Sequence, residues 1–352
     1  SFDSETYGLQ LSTQWEIDIW GRALNARKAA LKDYEAMKYE LSYIGFSTLV
    51  QSVKTYLQAE EAYGQVEIAK ASYNNLVEIR DMVKDRYDKG VKSSLDYRLA
   101  ETSVAIAEVQ IEVRQAQANN IFRVLNVLQG QYPSNKFTPT NQLFDSIPSI
   151  TKGIPADLLK RRPDIKAAIS KIEAEGMRLG QKKRNLLPGI ILNASAGTSA
   201  KELSEIFNDK NGIWNAGLSV ASPIFNQKKL RLAIKVQESV RNETIENLYI
   251  TLLEAFTEVE GLIELEESYN NQLRSFKVAQ EQSKSAYQLA RERYDKGITT
   301  LELVLNSQKQ YNDIRSQYLE LKRRRLNNRL DLILALGGDE QATLLNFEME
   351  EK

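Results

Sequence analysis

The segment Arg86-Tyr87-Asp88-Lys89-Gly90 returns unchanged 207 positions later as Arg293-Tyr294-Asp295-Lys296-Gly297. Each copy is followed by a hydroxyl-to-carboxylate run, Ser93-Ser94-Leu95-Asp96 or Thr299-Thr300-Leu301-Glu302. Glycine is the residue that takes the left-handed conformation just past a helix end, and an S/T-x-x-D/E run is a capping box that opens a new one. The two segments therefore predict two helical hairpins with tips at 90–93 and 297–299. Upstream, Phe46, Leu49, Val53, Tyr56, Glu60 and Tyr63 align with Leu252, Ala255, Val259, Leu262, Glu266 and Tyr269, keeping alternate steps of 3 and 4. Downstream, Leu128-Gln129-Gly130 parallels Leu336-Gly337-Gly338, each ending a helical run at glycine. The chain reads as two structural repeats.

Proline placement supports long helices. All 7 prolines of the 352 residues lie between Pro133 and Pro223, so the flanks 1–132 and 224–352 contain no helix breaker of that kind. Steps of 3 and 4 through Leu248, Leu252, Ala255, Val259, Leu262, Tyr269, Leu273 and Phe276 form the seam of packed helices. Near-continuous helices from Arg22 to Gly90 and from Asn226 to Gly297 would each measure ~100 Å at 1.5 Å per residue. Such hairpins must stand as coiled coil or pack beside copies of themselves. The expected organisation is a first repeat over 1–132 (strand 7–20, hairpin 22–130), a linker over 133–155, and a second repeat over 156–352. The second repeat holds a helix over 156–186, strands over 189–198 and 213–224, and a hairpin over 226–337.

Composition removes several classes of function. With 47 basic and 47 acidic residues there is no electrostatic footprint for nucleic acid. Having neither His nor Cys excludes Ser–His and Cys–His nucleophiles, imidazole or thiolate metal sites and a disulfide framework. No cofactor is implied. An enzyme would have to rest on carboxylates alone, and these fall at i, i+4 charge spacing on helix surfaces.

No window of about 18 apolar residues exists for a transmembrane helix, a test to which β-barrel strands are blind. Residues 7–19 alternate strictly, with Tyr7, Leu9, Leu11, Trp15, Ile17 and Ile19 on one face and Gly8, Gln10, Ser12, Gln14, Glu16 and Asp18 on the other. Ile190 to Ala196 and Trp214 to Val220 alternate likewise, joined by a polar loop from Thr198 to Gly212. One reading is a small antiparallel sheet capping a soluble periplasmic coiled-coil scaffold without channel activity. The other places the apolar face in lipid, because three strands cannot close a barrel and their edges must pair elsewhere. Gln10, Gln14, Glu16 and Asp18 then line water, and Trp15, Trp20 and Trp214 serve as membrane-interface anchors.

Trp15-Glu16-Ile17-Asp18-Ile19-Trp20-Gly21-Arg22, Leu158-Leu159-Lys160-Arg161-Arg162-Pro163-Asp164-Ile165, Leu187-Pro188-Gly189, Pro223-Ile224-Phe225 and the two Tyr-x-x-Gly tips run in one order along the chain. This set resembles the TolC-type outer-membrane efflux ducts, and closest their NodT/OprM-like lipoprotein branch. The resemblance implies a mainly α protomer with a minor β part. Its long antiparallel hairpins would form an α-barrel, and its strands would contribute, four per chain, to a twelve-strand transmembrane β-barrel shared by a homotrimer. It further implies that the family's N-terminal helix, first strand and lipidated cysteine precede residue 1, with Ser1 in the first extracellular loop.

The implied function is that of a passive exit duct of a tripartite efflux system for drugs, metals or other small solutes. It would sit in the outer membrane of a Gram-negative bacterium, with its helical tunnel in the periplasm. The implied partners are outer-membrane lipid, a periplasmic adaptor and an inner-membrane pump of the RND type. The tips Lys89, Gly90, Val91, Ser93, Lys296, Gly297, Ile298 and Thr299 would dock the adaptor, although any helical hairpin needs a glycine and a cap. Asp96, Glu101, Glu302 and Asn306 are the candidates for the periplasmic gate. Asn306 stands where the family commonly carries a second Asp, and Asp96 and Glu302 equally suit helix-dipole compensation.

Two basic segments have simpler readings. Lys322-Arg323-Arg324-Arg325 reads as a solvated or inter-helix ion-paired face. Arg161-Arg162-Pro163-Asp164 reads as a helix restart with proline near its first position. The linker around Pro133, Pro139, Pro148 and Pro155 would wrap the tunnel as an equatorial layer.

Overall fold

A computed structural model describes residues 5–140 and 161–337. Its elements are β1 (Tyr7–Ile17), α1 (Arg22–Asp88), α2 (Ser94–Leu128), α3 (Pro163–Arg184), β2 (Gly189–Ala200), β3 (Gly212–Ala221), α4 (Gln227–Asp295) and α5 (Leu301–Ala335). The two hairpins are present, with uninterrupted arms of 67 and 69 residues and return helices of 35 residues each. The linker expected over 133–155 is described only to residue 140; the rest of it, and the first residues of the helix expected from 156, lie outside the described residues.

The chain divides into two compact units that cut across the repeats. One comprises Ser1–Ser42 with Pro163–Leu253, the other Tyr43–Arg162 with Glu254–Lys352, so each takes part of both repeats. The first unit joins the sheet to the starts of α1 and α4 and to α3. Its buried positions are small, Ala29, Ala36, Ala167, Ser170 and Ala174, with Ile165 and Ile234 beside them. The same unit carries ion pairs, Arg178 with Asp33 and Glu175 and Lys171 with Glu40, and a hydrogen bond from Gln237 to Glu175.

The second unit is the four-helix part that ends in the tips. Phe46, Val50 and Leu57 of α1 pack against Leu326 and Leu330 of α5, and Ala59, Ala62 and Val66 against Ala118, Phe122 and Leu125 of α2. Two members of the basic run pair between helices, Arg323 with Glu61 of α1 and Arg325 with Glu266 of α4 at 3.3 Å, while Arg324 pairs with Glu320 of its own helix at 2.6 Å. Buried Glu60 accepts from the Tyr56 hydroxyl (2.8 Å) and from the amide and hydroxyl of Thr140 (2.7 and 2.8 Å), tying the start of the linker to α1.

The downstream alignment shifts by one residue. Gly130 and Gly337 carry the positive φ of 70° and 71°. The amides of Gly130 and Gly337 bond to Val127 and Leu334, and those of Gln129 and Leu336 to Leu125 and Leu332. Every one of these pairs keeps the 207-residue offset of the tips.

Candidate functional site

The sheet is a single antiparallel layer in the order β1-β2-β3. Its register places Trp15 opposite Leu192 and Leu192 opposite Leu218; the next rows are Ile17, Ile190 and Val220, and Leu11, Ala196 and Trp214. Residues paired in this way share a face, so one side carries the apolar set. The other carries Gln14, Asn193 and Gly217, then Ser12, Ser195 and Asn215, with Asn193 donating to the Ser219 hydroxyl at 3.3 Å. Ile191 and Ile213 are the large apolar exceptions on that polar side. Along the strands the apolar face runs from Tyr7 to Ile17, about 34 Å, or about 25 Å in height at the tilt usual for barrels. Leu11, Trp15, Trp214, Leu218 and Val220 are all exposed on it, Trp214 at 81%. No described helix is long and apolar enough to cross a membrane.

The strand expected over 7–20 stops at Ile17, because the chain turns at Gly21 (φ 74°) and the free amides of α1 recruit the side chain before it. The Asp18 carboxylate accepts from the Leu24 amide at 2.8 Å. That bond, with those of the Ala23 and Arg22 amides and the Arg22 charge, holds its carboxyl below the ordinary aspartate value against a smaller upward push from burial. Asp18 therefore caps a helix rather than standing in the strand row with Gln10, Gln14 and Glu16, and Glu16 pairs with Arg22. Trp20 also lies past the strand. Its indole N–H donates to the Pro188 carbonyl at 2.7 Å, and its own carbonyl accepts from Arg184 at 2.6 Å.

Both tips close with paired backbone bonds. The Gly90 amide donates to Tyr87 and the Val91 amide to Arg86, both at 2.8 Å; Gly297 and Ile298 donate to Tyr294 and Arg293, both at 2.9 Å. With φ of 71° and 72° at the glycines these are Schellman closures. In that motif the residue after the glycine usually folds back onto the helix; here Val91 and Ile298 stay 69% and 70% exposed. Ser93 caps α2 by accepting from the Asp96 amide at 3.2 Å. In the second tip the cap is Thr300, accepting from Leu303 at 3.4 Å, one residue later than the box beginning at Thr299. Lys89 and Lys296 pair with Asp85 and Glu292 within their own helices.

Beneath the tips Ile79, Val83, Ala100, Tyr287, Ala290, Tyr294, Leu301 and Val304 form one buried cluster. Burial pushes the Tyr294 phenol up, and the nearby Asp96 charge adds to it. The four gate candidates separate. Asp96 lies half-buried in the first turn of α2, and Glu101 accepts from the Tyr97 hydroxyl at 2.8 Å and stands 3.6 Å from Arg80. Glu302 and Asn306 are exposed one helical turn apart on α5, without an ion pair among the described residues.

One tertiary contact is invisible in the sequence pattern. Arg162 is buried, donating to Glu258 at 2.8 Å and to the Ala335 carbonyl at 3.0 Å. It thus ties α4 to the carbonyl end of α5, where a cation is favoured. Neither partner lies within 90 positions of it in the chain, so no local signal could have disclosed the contact.

A single-layer sheet with an apolar and a polar face, in a chain with paired helical hairpins, is the architecture expected of the outer-membrane efflux channels that the sequence resembles. The sequence profile described as "Outer membrane efflux protein" matches residues 1–131 and 154–338, and the chain belongs to that family. It is 29% identical over 341 residues to the pyoverdine export outer membrane protein OpmQ of Pseudomonas putida, covering 96% of this chain and 72% of that one. It is 25% identical over 341 residues to the cation efflux system protein CusC of Escherichia coli, covering 96% and 74%. The outer-membrane channel OprN superposes with a TM-score of 0.86 at 25% identity, covering 96% of this chain and 76% of that one. The protein is accordingly an outer-membrane efflux protein.

Proposed function

We propose that the protein is the passive exit duct of a tripartite efflux assembly, formed by three copies of the chain and docked through its helical tips to a periplasmic adaptor and, beyond it, an inner-membrane pump. The observation that carries this reading is the open sheet. Its apolar face has no protein covering it among the described residues, and β1 and β3 each leave an edge that must pair. Lipid meets the face, further strands from neighbouring copies meet the edges, and the row of Gln10, Gln14 and Glu16 lines the water-filled side. The helices ask for the same assembly. Leu31, Tyr34, Met37 and Leu41 are exposed on α1, and Ile106, Val109 and Val113 on α2, apolar side chains that neighbouring copies would cover.

The duct has no catalytic cycle of its own. Its cargo follows the pump; the relatives are named for pyoverdine and for cations, and small organic solutes or metals are the matching classes here. Docking belongs to the tip residues, of which Val91 and Ile298 offer exposed apolar knobs beside Gly90 and Gly297. Glu302 and Asn306, repeated by three-fold symmetry, are the positions for a ring at the gate.

The test is efflux in a host lacking its own outer-membrane channel, supplied with the cognate pump and adaptor. Gly90→Trp with Gly297→Trp should abolish resistance while trimers still reach the outer membrane. Full resistance in that variant would refute docking through the tips. A detergent-free soluble monomer with no conductance in planar bilayers would refute the duct itself and favour the scaffold.

A further inference from the structure

Each repeat carries the same three side chains before its tip, Arg86, Tyr87 and Asp88 in the first and Arg293, Tyr294 and Asp295 in the second. The chain uses them unequally. Arg86 donates to the carbonyls of Tyr294 and Asp295, both at 3.3 Å, and to the Asp295 carboxylate at 3.4 Å. Its guanidinium stands 5.5 Å from the centre of the Tyr294 ring, and Tyr294 is 1% exposed. The reciprocal set is the more open one, with Tyr87 stacked on Tyr97 of its own repeat at 5.6 Å between ring centres. Tyr87 is 40% exposed, and Arg293 and Asp88 are exposed with no ion pair among the described residues.

In a row of alternating repeats there are two junctions, first to second and second to first. The chain itself supplies only the former. The latter needs a second copy, and a head-to-tail contact of this kind closes into a ring when the rotation per copy allows it. We propose that Arg293 binds the partner subunit's Asp88 and stands over the partner subunit's Tyr87, repeating between copies the arrangement that Arg86 makes with Asp295 and Tyr294 within one. The occupant is a second copy because the two exposed groups have opposite charge and are the unused halves of one pentapeptide. The inference rests on the trimeric reading above and adds the residues that join its copies near the tips.

Thiol cross-linking tests it, since the 352 residues contain no cysteine. In the membrane-inserted protein, Asp88→Cys with Arg293→Cys and a short bis-maleimide should give covalent dimers and trimers on a denaturing gel. Arg86→Cys with Asp295→Cys should give a cross-linked monomer only. A protein that remains trimeric by native mass measurement, yet forms no cross-link between chains at positions 88 and 293, overturns this junction and leaves the duct standing. A protein with no oligomer at all overturns both. As a second reading, Arg293→Asp should weaken the trimer to heating in detergent and Arg293→Asp with Asp88→Arg should restore it; failure of the restoration also counts against the pair.

Discussion

Three glycines on the polar side of the sheet differ in what a methyl group would meet there, and this sets up a graded experiment. A Cβ on Gly197 would lie 2.2 Å from the Leu9 carbonyl oxygen and 2.8 Å from the Gln10 Cα, both backbone atoms of the paired strand. On Gly8 the nearest atom, the Thr198 carbonyl oxygen, is at 3.1 Å, and on Gly217 nothing lies within 4 Å. For Gly197→Ala, β1 and β2 must part by ~1 Å to restore ordinary contact, an overpacking of ~1–3 kcal/mol. The flanking ladder bonds stretch as well, at ~0.5–1.5 kcal/mol each. The total is about 3 kcal/mol. Gly217→Ala meets no such contact and gains ~0.5–1 kcal/mol from the lower entropy of the unfolded chain. Urea unfolding from detergent micelles, followed by the fluorescence of Trp15 and Trp214 in the same sheet, reads the difference. With slopes of ~1–3 kcal/mol per molar, the Gly197→Ala midpoint should fall by roughly 1–3 M, Gly8→Ala should fall less, and Gly217→Ala should hold or rise. Equal midpoints for Gly197→Ala and Gly217→Ala would show that β1 does not lie against β2 in this register.

Arg162→Ala leaves the Glu258 carboxylate and the Ala335 carbonyl without their donor, at a cost of about 2–3 kcal/mol, measurable as a lower unfolding midpoint. Gly90→Ala or Gly297→Ala meets no neighbouring atom within 4 Å and carries only left-handed strain, ~1–2 kcal/mol, so trimers should survive and only adaptor binding should be at stake. Asp18 has a depressed pKa, so its contribution to the start of α1 is complete above the unfolded value near 3.8 and is lost as pH falls through the folded one. Protection of the Ala23 and Leu24 amides against exchange, relative to free peptide, should therefore fall below about pH 4, and Asp18→Ala should remove that pH dependence. In planar bilayers a trivalent hexaammine cation should block conductance, with Glu302→Ala relieving the block and Asn306→Asp strengthening it; no change in either would remove these residues from the pore.

What the sequence disclosed was local backbone chemistry. Gly90 and Gly297 announce helix ends because few other residues take positive φ cheaply, and strict alternation in 7–17 can satisfy only a two-faced strand. Where two adjacent residues could serve equally, position slipped by one. Thr299 and Thr300 can both cap, and Gly337 and Gly338 can both end a helix; the turn geometry selects Thr300 and Gly337. Asp18 continues the alternation of β1 but is drawn off by the amides of α1, a demand that exists only once the helix has formed. Arg162 stayed hidden because its partners are brought to it by the fold. The unequal use of the two pentapeptides was hidden for a stronger reason, since identical sequences give no hint of which copy is enclosed.

Under the proposed docking, the Schellman tips with their uncovered Val91 and Ile298 bear on how tightly an adaptor must hold. Two tips per chain become six in the proposed trimer, and each presents one small apolar side chain beside a turn. A single such contact is weak, but tethered copies raise the effective concentration of every later contact, so a ring of weak grips holds firmly and still lets go one by one. The assembly can then be both long-lived and reversible without any single strong interface.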